Sequence, residues 1–407
     1  MSTAAQVPAP AVEGKDPEED ERAGFLRRFV QGDLASLRVI LGLVVIWVIF
    51  QSQNDRFLSA INLTNLMLQI TAVGLISVGI AYVLLLGEID LSVGAVSGLS
   101  AAVMAVLNVK HGVDPYLAMV AGVATGAVIG TVQGAFFAGF GIPSFVVTLS
   151  GLLAWQGALL YVLGDTGTLN INDGTITGLA NTFFDDQVGW TFAILAIAGY
   201  AAVSLWGYRG RVKAGLADQA LTPVLLRMTV VAIVSIVVIS ILNSDRGLPL
   251  AVLILLAFVL GMQYLVSRTR FGRHVFAVGG NSEAARRAGI KVNHIRVTVF
   301  AIAGAMAAVG GMLAASRLLA VNQSSGASDL LLLAIAGPVI GGTSLFGGRG
   351  SVWSALLGAM VIGSISNGMD LLALESSVKF MVTGGVLLAA VVVDAIGRRQ
   401  RQAEGRN

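Results

Sequence analysis

The sequence predicts an all-α fold, a polytopic membrane helical bundle of roughly 10–12 transmembrane helices, some of them broken. Three observations predict it. Of 407 residues, 56% are hydrophobic and 12% charged, about half the charged share of a soluble domain, and mean hydropathy is +0.82. Apolar runs close to the length that crosses a bilayer, about 20 residues, recur along the chain. Lys and Arg gather on alternate connections between those runs, as orientation in a membrane requires.

The same composition excludes several function classes. There is no cysteine, so disulfides, iron–sulfur clusters and thiol catalysis are out. His111, His274 and His294 are scattered without metal-ligand spacing. No G-x-x-x-x-G-K-[ST] run is present, so the chain does not hydrolyse ATP through a P-loop. No cofactor, metal or catalytic residue is expected, and no nucleophile–base pair stands out. The chain reads as a non-enzyme.

Taken in order, residues 1–36 form the first segment, Ala- and Pro-rich and then acidic (Glu13, Asp16, Glu18, Glu19, Asp20, Glu21). A secretory signal begins with a basic stretch and an apolar core, so a disordered cytoplasmic tail is expected here. The membrane domain is expected over 37–396, with apolar runs at 37–50, 63–86, 91–109, 116–140, 143–163 and 190–206. Further runs lie at 224–242, 249–266, 297–315, 330–342, 352–369 and 378–396, and residues 397–407 read as a cytoplasmic tail. Starting inside and alternating sides puts Arg56, Lys110, Arg246, Arg317 and Lys379 outside, leaving 21 of the 26 Lys and Arg inside. That asymmetry predicts both termini, and the connection 267–296, in the cytoplasm. Trp47, Trp190 and Trp206 fit an interfacial aromatic belt.

The connection 164–189 lacks Lys and Arg and carries Asp165, Asp173, Asp185 and Asp186. It reads as a solvated loop, with a surface for an external binding protein as the alternative. Gly122, Gly126, Gly130 and Gly134 recur every fourth residue, a stripe that lets another helix pack closely. Asn322, with Gln323, Ser324 and Ser325, ends a run on the outside. Its amide suits sugar hydroxyls, yet such residues are ordinary in loops.

Two polar breaks interrupt the apolar pattern. Glu88, Asp90 and Ser92 fall within an apolar region, where each carboxylate would cost about 2.5–3.5 kcal/mol at mid-membrane. They therefore sit at a membrane edge, in a water-filled cavity, or paired, either as a plain turn or as part of a transport pathway. The second break, 341–351, is glycine-rich and carries Thr343 and Ser344 after Pro338, which suggests a discontinuous helix.

Between two of the long runs, 267–296 carries seven Lys or Arg against one acid, Glu283. A short helix over 282–288 is marked at both ends. Asn281 or Ser282 suits its start, Glu283 its positive end, and Arg286 with Arg287 its negative end. Gly289 stops it. So short a helix needs a surface beneath it. It is either part of an ordinary basic loop or an element that docks on a partner, Ala284 and Ala285 offering a small face to a groove.

The run Gly-Gly-Asn-Ser-Glu-Ala-Ala-Arg-Arg-Ala-Gly-Ile at 279–290 resembles the coupling loop of permeases from bacterial sugar-uptake ABC transporters. Glu-Ile-Asp-Leu-Ser-Val-Gly at 88–94 and Ile-Gly-Gly-Thr-Ser-Leu-Phe-Gly-Gly-Arg-Gly-Ser at 340–351 are similar to two further stretches of that family. The resemblance covers about 37–399 and is strongest to the xylose-type branch. It implies a homodimeric permease in the inner membrane, working with an ATP-binding subunit and an extracytoplasmic sugar-binding protein. The coupling element would comprise Asn281, Ser282, Glu283, Ala284, Ala285, Arg286 and Gly289. The pathway and its gates would involve Glu88, Asp90, Ser92, Thr343, Ser344 and Asn322. The rival reading is an ion-coupled secondary sugar transporter with Glu88 or Asp90 as its coupling site.

Overall fold

The structure, a computed structural model, describes residues 35–215 and 221–403. The expected N-terminal tail lies almost wholly outside the described residues, as do residues 404–407. The chain opens with α1 (Ala35–Gln53), α2 (Ala60–Leu85) and α3 (Val93–Ala105), the last prolonged by a π-helical turn at Val106–Lys110. Then come α4 (Pro115–Phe140) and α5 (Ser144–Leu163). The connection that follows holds a 3-10 turn, β1 (Thr168–Asn170), α6 (Gly174–Asn181) and β2 (Phe183–Phe184). Next are α7 (Asp186–Lys213), α8 (Thr222–Asn243), β3 (Leu248–Pro249), α9 (Leu250–Arg268), α10 (Arg270–Gly280) and α11 (Ser282–Arg287). The chain continues through α12 (Val292–Leu318), β4 (Ala320–Asn322), α13 (Ser328–Ile340), α14 (Val352–Leu371) and α15 (Ser376–Ala403).

Among the described residues nine helices are long and apolar enough to cross a membrane, and three shorter apolar helices cover Leu37–Gln53, Asp329–Ile340 and Ser376–Val392. Together these account for all the expected apolar runs. The segment expected as a C-terminal tail continues α15 as far as Ala403.

Local chemistry sets the helix ends. Asp114 accepts from the Tyr116 and Leu117 amides, with Pro115 at the first helical position of α4, and Gly141 closes that helix at φ +70°. This pairing of acidic cap, early Pro and left-handed Gly needs nothing from the rest of the fold. Helix α2 is apolar all round and buried along most of its length, as expected for a helix at the centre of a bundle. Helix α12 lies against it, with Gly79 touching Ala303 and Met306.

The glycine stripe of α4 does pack. Gly126 faces the Gly304 carbonyl, Gly130 the Phe300 carbonyl and Gly134 the Val297 backbone, all on α12, while Gly122 meets Ser100 and Met104 of α3 and Met312 of α12. Helices α7 and α8 form a hairpin at the periphery, with Ile194, Leu195, Val203, Ile233 and Val234 exposed, an apolar surface that suits lipid.

Two expectations need correction. The connection 164–189 is not a solvated loop. Its helix α6, capped by Asp173, is bound to the last turn of α12, because Ser316 Oγ donates to Thr177 O and accepts from the Ala180 amide. Strands β1 and β4 pair antiparallel, Thr168 opposite Asn322, and β2 pairs with β3. Polar backbone here is satisfied by partners remote in sequence. Second, 267–296 holds two helices. The region before Asn281 folds as α10, whose Val275 and Val278 face the core. Trp47, half-buried, donates its indole N–H to Ser364 Oγ of α14 at 2.9 Å.

Candidate functional site

One end of the bundle gathers the segment 267–296 and both polar breaks. Thr269 ends α9 and starts α10: its Oγ1 donates to Leu265 O and accepts from the Gly272 amide. Asn281 then caps α11, its Oδ1 accepting from the Ala284 amide at 2.9 Å. At the other end the Ile290 amide donates to Ala285 O and the Gly289 amide to Arg286 O, with Gly289 at φ +84°. That is a Schellman closure, which needs a residue without a Cβ penalty at Gly289. Every helix-end feature read from the sequence is present, Asn281 serving as the cap.

The facing of α11 differs from expectation. Ala285 is 5% exposed and belongs to the main core cluster, so it anchors the helix and offers nothing to a partner. One small face cannot both hold a six-residue helix down and receive another protein. The outward surface is Glu283, Ala284, Arg286, Arg287 and Ala288, with Ser282 half-buried. Glu283 pairs with Arg287 at 3.3 Å and with Arg286 at 3.9 Å, exposed contacts that stabilise the helix by only a few tenths of a kcal/mol, about 0.3–0.5.

The first break begins as α2 closes: the Gly87 amide donates to Leu84 O and the Glu88 amide to Val83 O, with Gly87 at φ +74°. From there the backbone is held by side chains of α5. The Ile89 amide donates to Ser144 Oγ and the Leu91 amide to Thr148 Oγ1. Asp90 is 4% exposed, and its Oδ1 accepts from both the Ser92 amide (2.8 Å) and Ser92 Oγ (2.7 Å). Glu88 points elsewhere, to Arg296 Nη2 on α12 at 3.0 Å. The Arg296 guanidinium also lies 5.5 Å from the Phe137 ring centroid, and Phe137 packs on Phe300 at 4.7 Å. Both ends of the pair are largely shielded from solvent, with 24% and 16% of the side chains exposed. Removing one partner would leave the other charge uncompensated in a partly shielded site.

Gln133 of α4 joins this cluster and was not anticipated as a site residue. It is 3% exposed, with Oε1 3.0 Å from Ser92 Oγ. Its Nε2 and the Trp155 indole nitrogen are buried without partners, and both lie against Gly151. One hydroxyl proton on Ser92 serves either Asp90 or Gln133. A half-turn of the Gln133 amide gives Ser92 a donor and turns the carbonyl toward the Trp155 N–H. A glutamine inside an apolar run is costly unless paired, and that is the signal that marks it.

The second break lies beside the first. Pro338 lacks an N–H, so Ala334 O loses its helical donor; Ser77 Oγ of α2 donates to it instead at 3.0 Å. The Thr343 amide donates to Pro338 O, the Ser344 amide to Arg349 O, and the Gly348 amide to Leu85 O at 2.9 Å. Ser344 Oγ accepts from the Phe346 amide, and Thr343 Oγ1 is buried without a partner. Gln263 of α9 then accepts from Ser351 Oγ and the Val352 amide, seating the start of α14. The three glycine turns interlock: a Cβ on Gly347 would strike Gly279 and Gly87, and one on Gly279 would strike Leu85 O. Glu88, Asp90, Ser92, Thr343 and Ser344 are thus drawn to the end that carries α11.

Asn322 is not part of this assembly. It ends β4, its Oδ1 accepts from the Ser324 amide and its own amide donates to Ser325 Oγ. That turn rests on α3, where Gly326 approaches Gly94 and Gly98. Among the described residues no group of three or more His, Cys, Asp or Glu could hold a metal ion.

Comparison with known proteins places the chain among transport permeases. The chain is 36% identical to the xylose transport system permease protein XylH of Escherichia coli K12, covering 89% of this chain and 92% of that protein. It is 35% identical to the XylH of Haemophilus influenzae, over 89% and 96% respectively. Identity to the ribose import permease protein RbsC of Bacillus subtilis is 33%, over 89% and 94%. No solved structure matches significantly. Residues 62–391 match the family described as branched-chain amino acid transport system, permease component, so the chain belongs to that family of membrane permease subunits.

Proposed function

We propose that this chain is the membrane permease subunit of a binding-protein-dependent ABC importer that carries a monosaccharide, a pentose of the xylose kind, across the inner membrane. The observation that carries this is the similarity to xylose permeases over 89% of the chain. Although the family description names branched-chain amino acids, the relatives cited above are named for xylose and ribose, which favours a sugar.

In this reading two copies pair in the lipid bilayer, and the end bearing α11 faces the cytoplasm together with both termini. The split of basic residues, five outside and 21 inside, supports that orientation. The outward face of α11 (Glu283, Ala284, Arg286, Arg287, Ala288) meets a separate ATP-binding subunit, with Asn281, Ser282, Ala285 and Gly289 holding the helix in place. The opposite end, capped by α6 and the short strand pairs, receives the sugar-binding protein. Glu88, Asp90, Ser92, Thr343 and Ser344 form the gate region, and Asn322 shapes the turn that follows β4. The chain does no covalent chemistry.

The ion-coupled alternative needs a carboxylate open to a transported ion. Glu88 is paired with Arg296 and Asp90 is bound by Ser92, which argues against it. The test is uptake of radiolabelled xylose and ribose into vesicles containing the permease and a binding protein, with and without the ATP-binding subunit. Uptake that requires the ATP-binding subunit and ATP is expected. Uptake driven by an ion gradient alone would overturn the proposal.

A further inference from the structure

We infer that the Glu88–Arg296 ion pair is the joint through which movement of α11 reaches the broken segment 86–92. This rests on the docking role of α11 proposed above. Four features of the geometry carry it.

First, Arg296 is tied closely to α11. The Schellman closure binds Ile290 to Ala285, α12 begins at Val292, and Val292 and Ile295 are buried. There is no slack chain between the exposed face of α11 and Arg296. Second, the entry to α11 is equally tight. Gly279 abuts Leu85 O and the Gly348 amide, so both flanks of α11 bear on the end of α2 where the break begins.

Third, the Arg296 guanidinium is incompletely satisfied. It has Glu88 and the Phe137 ring, while its Nε is buried without a partner. Buried donors normally have partners, so the guanidinium is held less completely than a fully bonded one. Fourth, the backbone on the receiving side hangs on side chains. Ile89 and Leu91 are held by the hydroxyls of Ser144 and Thr148, and Asp90 by Ser92. Hydroxyl contacts exchange partners more readily than a helical ladder, so a pull on Glu88 shifts residues 88–92 as a unit. Glu88 and Arg296 are positioning residues here and need not touch the sugar.

The experiment compares Glu88→Gln, Arg296→Gln and Arg296→Lys with the wild type, purified with the ATP-binding subunit and reconstituted with the binding protein. ATPase retention, ATP hydrolysis and xylose uptake are measured on the same preparations. The two Gln variants are expected to retain the ATPase and hydrolyse ATP, while sugar moved per ATP falls about tenfold, the scale of a typical coupling energy between sites. Arg296→Lys keeps the charge and is expected to restore most of the ratio. A wild-type ratio in both Gln variants overturns the inference. So does a parallel loss of folded protein, hydrolysis and uptake that Arg296→Lys does not relieve, which marks a purely structural pair. Ala284→Trp separates the two proposals. If it keeps the ATPase and the uptake, the docking role of α11 is wrong. If it releases the ATPase while the Gln variants transport normally, only the joint is wrong.

Discussion

Replacing Gly130 with alanine places a methyl group where α4 and α12 are nearest. The new Cβ would stand 2.0 Å from Phe300 O, whereas real Cβ contacts essentially never fall below 3.0 Å. The helices must therefore part by roughly 1 Å along that line, and the opposing atom is backbone, which cannot swing aside. The shift also loosens the reciprocal Gly126–Gly304 approach one turn away and the Phe137–Phe300 contact. Overpacking of this kind costs about 1–3 kcal/mol. Alanine regains up to about 1 kcal/mol of helix propensity wherever it replaces a helical glycine, so the fair comparison is Gly139→Ala on the same helix, where a Cβ meets nothing within 4 Å. Unfolding of the detergent-solubilised protein by SDS titration, followed by tryptophan fluorescence, should rank Gly139→Ala level with or above the wild type. Gly130→Ala should fall about 1–3 kcal/mol below Gly139→Ala. Equal stability of the two variants would refute the argument that this interface requires glycine.

The remaining predictions follow from single contacts. Ser77→Ala leaves the Ala334 carbonyl without its donor opposite Pro338, and the same titration should show a loss of about 1–3 kcal/mol. Asp90→Asn keeps an oxygen that accepts from the Ser92 amide, so membrane abundance should stay normal while xylose uptake falls; unchanged uptake would assign Asp90 a structural role alone. The chain has no cysteine, so single cysteines report cleanly on topology. One at Asn172 should react with an impermeant maleimide added outside intact cells, and one at Ser282 should react only after the membrane is opened; the reverse pattern would invert the orientation.

Much of this protein is legible from residue order because the signals are local. A bilayer-length apolar run, a cap such as Asn281, a stop such as Gly289 and a glycine every fourth residue all act within a turn or along one helix. Tertiary structure alone decided what those elements meet. The burial of Ala285 with Ala284 left outside depends on how a six-residue helix rolls against the core, and one turn of sequence has no periodicity long enough to say. Helix α10 stayed hidden because its arginines and glycines suggested a loop; it forms because Val275 and Val278 find the bundle. The segment 164–189 has the composition of a solvated loop and folds because Ser316, far along the chain, supplies the partner for α6. Glu88 carries the same lesson for the site. Two carboxylates in an apolar stretch announce that something must compensate them, since an unpaired charge there is prohibitive. Which residue does so, Arg296 for Glu88 and Ser92 with Gln133 close by for Asp90, is a matter of which helices the fold sets side by side.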